Sequence, residues 1–331
     1  MKVFKVFISL FLVFCMLFIF LFSWTNLYKE KENKDKSYSG IISLWQIDSF
    51  EGGFGSRKQF LLDTARLFER ENKGALVMVT EHTKESAIKN IKNGQIPDMI
   101  SYGTGMEAIG FNEIKLDNNF SGGKIGNKNF ANVWCRGGFV LIYNPKLTDG
   151  TNKEINELLV SEKQVNLPLV AFALSGYSAK TIKIKPPLEA YITFLEGKTP
   201  YFLGTQRDIV RLENRGFNYG TISLEGYNDL YQYVSITATD TNKKNISEKF
   251  IEFLLSEKIQ KNLNKISMCS VNYNVEFDNE SLTRIQNTLY KSTISAFIPD
   301  YLFKDVKEYS FLASCGDENS MTKIKNVLIL S

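Results

Sequence analysis

The sequence predicts an α/β protein of about two domains. Short apolar runs alternate with amphipathic stretches from Ile41 to Tyr102, and the alternation resumes after Leu167. A long strand-like run interrupted by two glycines, Val133 to Pro145, separates the two stretches. A chain of 331 residues also exceeds what one small core requires.

Ile41 to Ile47 is a short apolar run ending at Asp48, the pattern of a buried strand. Ser56 and Gln59 have capping-box spacing, in which hydroxyl and amide serve exposed backbone N–H groups reciprocally. Phe60, Leu61, Ala65, Leu67 and Phe68 then line one face of a helix that Gly74 ends. Ala75 to Val79 reads as a second strand. Thr83 opens a helix with Ala87, Ile88 and Ile91 inward and Gly94 as its C-cap, and Pro97 to Tyr102 supplies a third strand running into Gly103-Thr104-Gly105. Strand, helix, strand, helix, strand is a parallel α/β unit. In the second unit, Leu167 to Leu174 reads as a strand entering "SGYS", with Tyr177. Leu188 to Leu195 reads as a helix and Tyr201 to Leu203 as a strand entering "GTQRD". Thr205 with Asp208 is a second capping signature, on a helix from Gln206 to Asn214. Tyr231 to Thr239 reads as a returning strand, and Asn245 with Glu248 as the cap of a helix carrying Phe250, Phe253, Leu254 and Leu255.

Apolar content of 44% with 23% charge is ordinary for a globular protein, and a net charge of +4 without a basic stripe argues against nucleic acid as a partner. At the N-terminus, Lys2 and Lys5 precede nineteen residues without a charge, Val6 to Trp24. Basic residues before such a run read as a secretory signal or an uncleaved anchor. No small-x-small cleavage site follows, and Phe14 occupies the position before Cys15 that a lipoprotein box keeps small, so a retained anchor is preferred over lipidation, with a cleaved signal as the alternative. Residues 25–40 alternate Lys with Glu and Asp and read as a solvated tether. Cys135, Cys269 and Cys315 are far apart and form no metal-binding spacing.

Ligands of open α/β sheets settle beyond the carboxyl ends of parallel strands, where loops and helix N-termini converge. "DSFEGGFGSR", "GTG", "SGYS" and "GTQRD" are all expected there. The glycines around Gly53 fit neither a P-loop nor a dinucleotide fingerprint. Asp48, Glu51 and Arg57 suit sugar hydroxyls, or Glu51 and Arg57 pair with each other or face water. Trp45 and Trp134 either stack on a pyranose or belong to the core. Arg136, Arg207, Thr104, Tyr177 and Thr205 complete the candidate set. His82 is the sole histidine, which removes a histidine-based metal site and leaves no spare for a nucleophilic triad. Asp48 and Glu51 share one loop, whereas glycosidase carboxylates flank the scissile bond. A binding protein without a cofactor is expected.

The "LW" strand, "ARLFERENKG", "IKNGQIPDMISYG", "VWCRGGFVLIYNPKL" and "KFIEFLLSEKIQKNLNKISMCSVN" occur in an order that resembles the extracellular solute-binding proteins of ABC importers, in particular the family (family 1) that includes oligosaccharide binders. The resemblance spans about Ile41 to Asn274. It implies a two-lobed periplasmic-binding-protein-like fold (type II) with a ligand cleft between lobes. Carried onto this chain, one lobe comprises 41–133 and 239–278 and the other 134–238 and 279–331. The implied function is capture of a carbohydrate or similar polar solute for an ABC permease, by a monomer at the cell surface. An anionic solute, or a surface sensor or adhesion role without a permease, is the alternative.

Overall fold

The computed structural model describes residues 11–20, 38–47, 56–107, 110–116, 120–161, 166–289, 295–298 and 300–330. Asp48, Glu51 and Gly53 lie outside the described residues. Residues 11–20 form a helix, α1, with largely exposed apolar side chains, and among the described residues no helix is long and apolar enough to cross a membrane.

β1 (Gly40–Ile47), β2 (Ala75–His82) and β3 (Met99–Tyr102) alternate with α2 (Arg57–Glu71) and α3 (Lys84–Lys92), as the apolar periodicity predicts. β1 pairs in parallel with both β2 and β3. A small hairpin of β4 (Lys124–Ile125) and β5 (Lys128–Asn129) precedes β6 (Asn132–Arg136). The second sheet is built from β7 (Phe139–Tyr143), β8 (Glu154–Ser161), β9 (Ser178–Lys185), β10 (Tyr201–Thr205) and β11 (Gly220–Ser223), in the order β11-β7-β10-β8-β9. Helices α4 (Pro168–Leu174), α5 (Pro187–Leu195) and α6 (Gln206–Glu213) connect its strands. β12 (Tyr231–Ile236) then returns to the first sheet and inserts antiparallel between β3 and β6, giving β2-β1-β3-β12-β6. α7 (Thr241–Leu255) and α8 (Glu257–Gln260) stay with that sheet. α9 (Glu280–Thr288) packs on α6, while α10 (Asp300–Ser314) and α11 (Glu318–Leu330) pack on α4. The result is two α/β lobes, between which, among the described residues, the chain passes after β6, after β11 and between α8 and α9.

The first lobe is held by apolar contact across one sheet face. Ile42 and Leu44 of β1 and Phe250 of α7 are fully buried, and the Phe68 ring meets Phe250 edge-on at 5.3 Å. Burial of each such side chain contributes about 1.5–3 kcal/mol relative to exposure.

Several expectations are corrected. Leu167 to Leu174 is helical, not a strand. Pro168 sits at the first helical position, where its missing N–H costs nothing, and the rest of "PLVAFAL" is buried too uniformly to show a period. "SGYS" is therefore a helix-to-strand turn. The run Val133 to Pro145 is two strands in different sheets, broken at Gly137-Gly138. Because β6 and β12 belong to the first sheet, the chain passes between sheets after Arg136 and before Tyr231, not at 133/134 and 238/239. Asp240, not Asn245, caps α7: its carboxylate accepts the Lys243 N–H at 2.9 Å. At α2 the Ser56 hydroxyl accepts the Gln59 N–H at 3.3 Å, but the Gln59 amide turns to Asp63 instead of closing a capping box.

Candidate functional site

The carboxyl ends of β1, β2 and β3, at Ile47, His82 and Tyr102, share one edge of the first sheet, from which α2 and α3 set out. β8, β9 and β10 are likewise parallel, and α6 starts at the carboxyl end of β10. The two edges meet over the passage from β11 to β12. There the Thr104 hydroxyl, from the first lobe, donates to the Asp229 carbonyl at 3.3 Å, and the Asp229 carboxylate accepts the Leu167 N–H, from the second lobe, at 2.9 Å. Tyr227 and Asn166 also donate to that carboxylate, at 3.2 and 3.4 Å. Burial pushes the Asp229 carboxyl up to about 7, against these hydrogen bonds, which favour the charged form.

The other passages are knitted by buried amides. Gly138 N–H donates to Gln206 Oε1 at 2.9 Å, and Gln206 Nε2 donates to the Ser267 carbonyl at 3.2 Å, so one side chain at the start of α6 bridges two passages. Asn228 Nδ2 donates to the Gly137 carbonyl at 2.9 Å. Both glycines are crowded: a Cβ on Gly138 would stand 1.7 Å from Leu289 Cδ2, and one on Gly137 would stand 2.9 Å from Gln206 Oε1, so a side chain at either would require its neighbour to move.

Above this floor the C-terminal part of the chain reaches back to the first lobe. The Ala296 carbonyl accepts the N–H groups of Gly105 and Met106 at 2.9 and 3.0 Å. Gly105 adopts φ +93°, and Lys84 Nζ, the Ile298 carbonyl and Phe303 of α10 all lie within 3.7 Å of the place its Cβ would take. Beside it, Tyr102 stacks on Phe111 with ring centroids 5.6 Å apart, and Phe111 meets the partly exposed Phe297 at 6.0 Å.

The predicted site residues divide sharply. Thr104, Thr205, Arg57 and Arg207 stand at the converging edges. Thr205 N–H donates to Asp208 Oδ2 at 2.9 Å, as the capping spacing predicts, and burial raises the Asp208 carboxyl. Arg57 is the first residue of α2 and is 7% exposed. Trp134 is core: fully buried, it stacks on Phe60 at 5.6 Å and its Nε1 donates to Ser101 Oγ at 2.9 Å. Arg136 is also fully buried, its Nε and Nη2 donating to the carbonyls of Ser270 and Gln286 at 2.8 and 3.1 Å, with the Tyr273 ring 4.7 Å away. It serves the passages between lobes. Tyr177 lies at the amino end of β9, next to Phe172 and Lys153, on the side of the second sheet away from the converging edges. Trp45 is half-buried beneath α3's side of the first sheet, its ring 4.3 Å from that of His82.

Asp229, Gln206, Lys84, Phe111 and Phe297 were not singled out by sequence reasoning. Asp229 follows a glycine and an asparagine in "EGYNDL", a turn composition that marks a passage only in retrospect; Phe297 carries no local signal. His82 lies between Thr80 Oγ1 and Ser86 Oγ, at 3.2 and 3.3 Å, and burial lowers its pKa. Among the described residues no group of three His, Cys, Asp or Glu side chains could hold a metal. A groove of about 1190 Å³ between the end of α2 and α7 lies at the opposite, amino edge of the first sheet, lined by charges of both signs. It is separate from the converging edges.

No family model and no curated protein matches the chain. Solved structures do match. One is the GacH receptor of Streptomyces glaucescens GLA.O, determined unliganded and in complex with acarbose and an acarbose homolog; it is 14% identical, with 88% of this chain and 99% of that chain covered and a TM-score of 0.57. The fold is that of a two-lobed periplasmic binding protein.

Proposed function

We propose that the chain is an extracellular receptor that captures a carbohydrate between its lobes and delivers it to an ABC permease, held at the cell surface by its N-terminal apolar run. The observation that carries this reading is the meeting of two sheet edges over a hinge: Thr104, Asp229 and Leu167 link both lobes at the floor of the cleft. The likeness to a receptor crystallised with acarbose supports a sugar. So do the partly buried rings of Phe111 and Phe297, since an aromatic face suits the apolar face of a pyranose. A solute that touches both lobes stabilises the closed arrangement, and closure is a population shift needing no chemistry.

A thermal-shift series with acarbose and maltooligosaccharides tests the reading. A sugar at 100 times its dissociation constant adds about 2.7 kcal/mol of stability, and small-angle scattering should show compaction at the same concentration. The reading fails if no sugar in the series raises the melting temperature. An anionic solute is the second reading, favoured by the cations in the first turns of three helices at the converging edges: Arg57 of α2, Lys84 of α3 and Arg207 of α6. Phosphate, sulfate and dicarboxylates in the same screen decide between the two.

A further inference from the structure

α3 is too short for the sheet it covers. Its nine residues rise about 13 Å, whereas β1 and β2, of eight residues each, span about 26 Å. Toward the carboxyl end, Ala87 and Ile91 of α3 close over Ile47 and Ile100. Toward the amino end the same face stays open: Ile41 is 54% exposed, and Leu76 and Met78 are each 53% exposed. Ile41 and Leu76 are register partners and Met78 follows two residues later, so the three side chains share one face. Ile96, in the loop from α3 to β3, is 53% exposed as well. The opposite face of these strands, under the fifteen-residue α2, leaves Ile42 and Leu44 at 0%.

The rim of this strip is basic. α3 runs back toward the amino edge, so its last turn brings Lys89 and Lys92 to the same end; both are exposed and neither has an ion pair among the described residues. β2 is moreover an outer strand of its sheet. The outer strand β9 of the second sheet differs, since its lysines 180, 183 and 185 guard it against adhesion.

We propose that Ile41, Leu76, Met78 and Ile96, with Lys89 and Lys92, form a docking surface for an anionic lipid bilayer. The proposal rests on the reading that the apolar run Val6 to Trp24 lies in a membrane. Tyr38, where the described lobe begins, is three residues before Ile41 and fourteen after Trp24. Fourteen residues can reach at most about 50 Å, so the strip lies within reach of a bilayer that holds Trp24 and its contact with that bilayer is intramolecular. Apolar side chains ringed by lysines suit the interface of an anionic leaflet. A second copy of the chain fits less well: a two-fold contact through this strip would bring the lysines of one copy toward those of the other.

The test uses the full chain on vesicles of phosphatidylcholine with about one quarter phosphatidylglycerol. In a Cys15→Ser, Cys315→Ser background, a bimane label is placed by Met78→Cys, with Lys180→Cys on β9 as control, and the lipid tails are brominated. Co-sedimentation reads the anchor and quenching reads the strip. The expected result is loss of about half of the fluorescence at position 78, little change at 180, and recovery of the signal in Lys89→Glu/Lys92→Glu while the chain still sediments. Sedimentation with equal, weak quenching at both positions overturns the docking surface and leaves the anchor standing. Shielding at 78 that follows protein density, not bromine, overturns it in favour of self-association. Failure to sediment removes the anchor and the proposal together. Quenching that survives the lysine double variant overturns the role of anionic lipid.

Discussion

The sheets and the passages between them are held together by opposite chemistries. Within the sheets the buried side chains are mainly apolar: Ile42 and Leu44 in one, Leu141 and Phe202 in the other, all at 0% exposure. Around the passages Arg136, Gln206, Ser270 and Gln286 are buried just as completely. Apolar burial is non-directional and stabilises each lobe by area. Hydrogen bonds between buried amides are directional, each costly when half-made, and they select one path of the chain between lobes. Stability of a lobe and geometry of the hinge therefore lie with different residues, and substitutions should separate them.

The largest effect should come from the tryptophan inside the first sheet. Trp134→Ala removes a fully buried ring and the partner of Ser101, and should cost about 3–5 kcal/mol in urea denaturation. Trp45→Ala, at a half-buried ring, should cost about 1 kcal/mol. Equal costs would mean that Trp45 is as much core as Trp134.

Next comes pH dependence at the hinge. The folded Asp229 carboxyl keeps its proton up to about 7, while the unfolded one releases it near 3.8. Between those values the folded form binds more protons, so this group makes stability fall as pH rises through that window. Tyr227, Asn166 and the Leu167 N–H face the carboxyl directly. Asp229→Asn cannot ionise, so its stability relative to the parent should rise by on the order of 2 kcal/mol between pH 5 and pH 8. A parallel pair of stability curves would show that Asp229 is ionised throughout, held by its three donors.

A smaller effect tests whether the glycines are matched to their neighbours. Gly138→Ala drives a Cβ into Leu289, and should cost about 1–3 kcal/mol. Leu289→Ala in the same chain makes room and should recover part of that loss, a coupling that a double-mutant cycle measures. Independent, additive losses would mean that backbone freedom, not space, decides the residue at 138.

The first lobe was legible in the sequence because its signals are local. Gly94 follows directly on Asn93, the C-cap of α3, and Gly74 comes two residues after Asn72, the C-cap of α2, while Thr83 caps α3 by accepting the Ser86 N–H at 3.2 Å, and β1 to β3 carry apolar runs of strand length. The second lobe hid its sheet. β8, "EINELLVS", and the outer strand β9, "SAKTIKIK", mix charge with apolar residues, and α4 carries an apolar run that fits strand and helix alike. Of the candidate site, the helix starts at Arg57, Thr205 and Arg207 were found through capping chemistry. The hinge polar groups were not, because Gln206, Asp229 and Gln286 acquire their roles from partners distant in sequence: 68 residues separate Gly138 from Gln206, and 150 separate Arg136 from Gln286.

The smallest predicted effect concerns the start of α7, where local spacing pointed one turn too far along. Asn245 and Glu248 have the spacing of a cap, but Asp240 begins the helix, its carboxylate accepting the Lys243 N–H at 2.9 Å. The sequence between them, "TNKK", has no apolar residue to reveal the first turn, so the reading started where Ile246 and Phe250 begin the buried face. Asp240→Ala should cost about 1 kcal/mol, the usual loss for a capping carboxylate. Asn245→Ala, on the exposed side of the second turn, should change stability by no more than about 0.5 kcal/mol. The reverse ranking would move the start of α7 back to Asn245. It would also loosen Lys243, which pairs with Asp98 at 3.0 Å and so ties α7 to the β1–β3 side of the sheet.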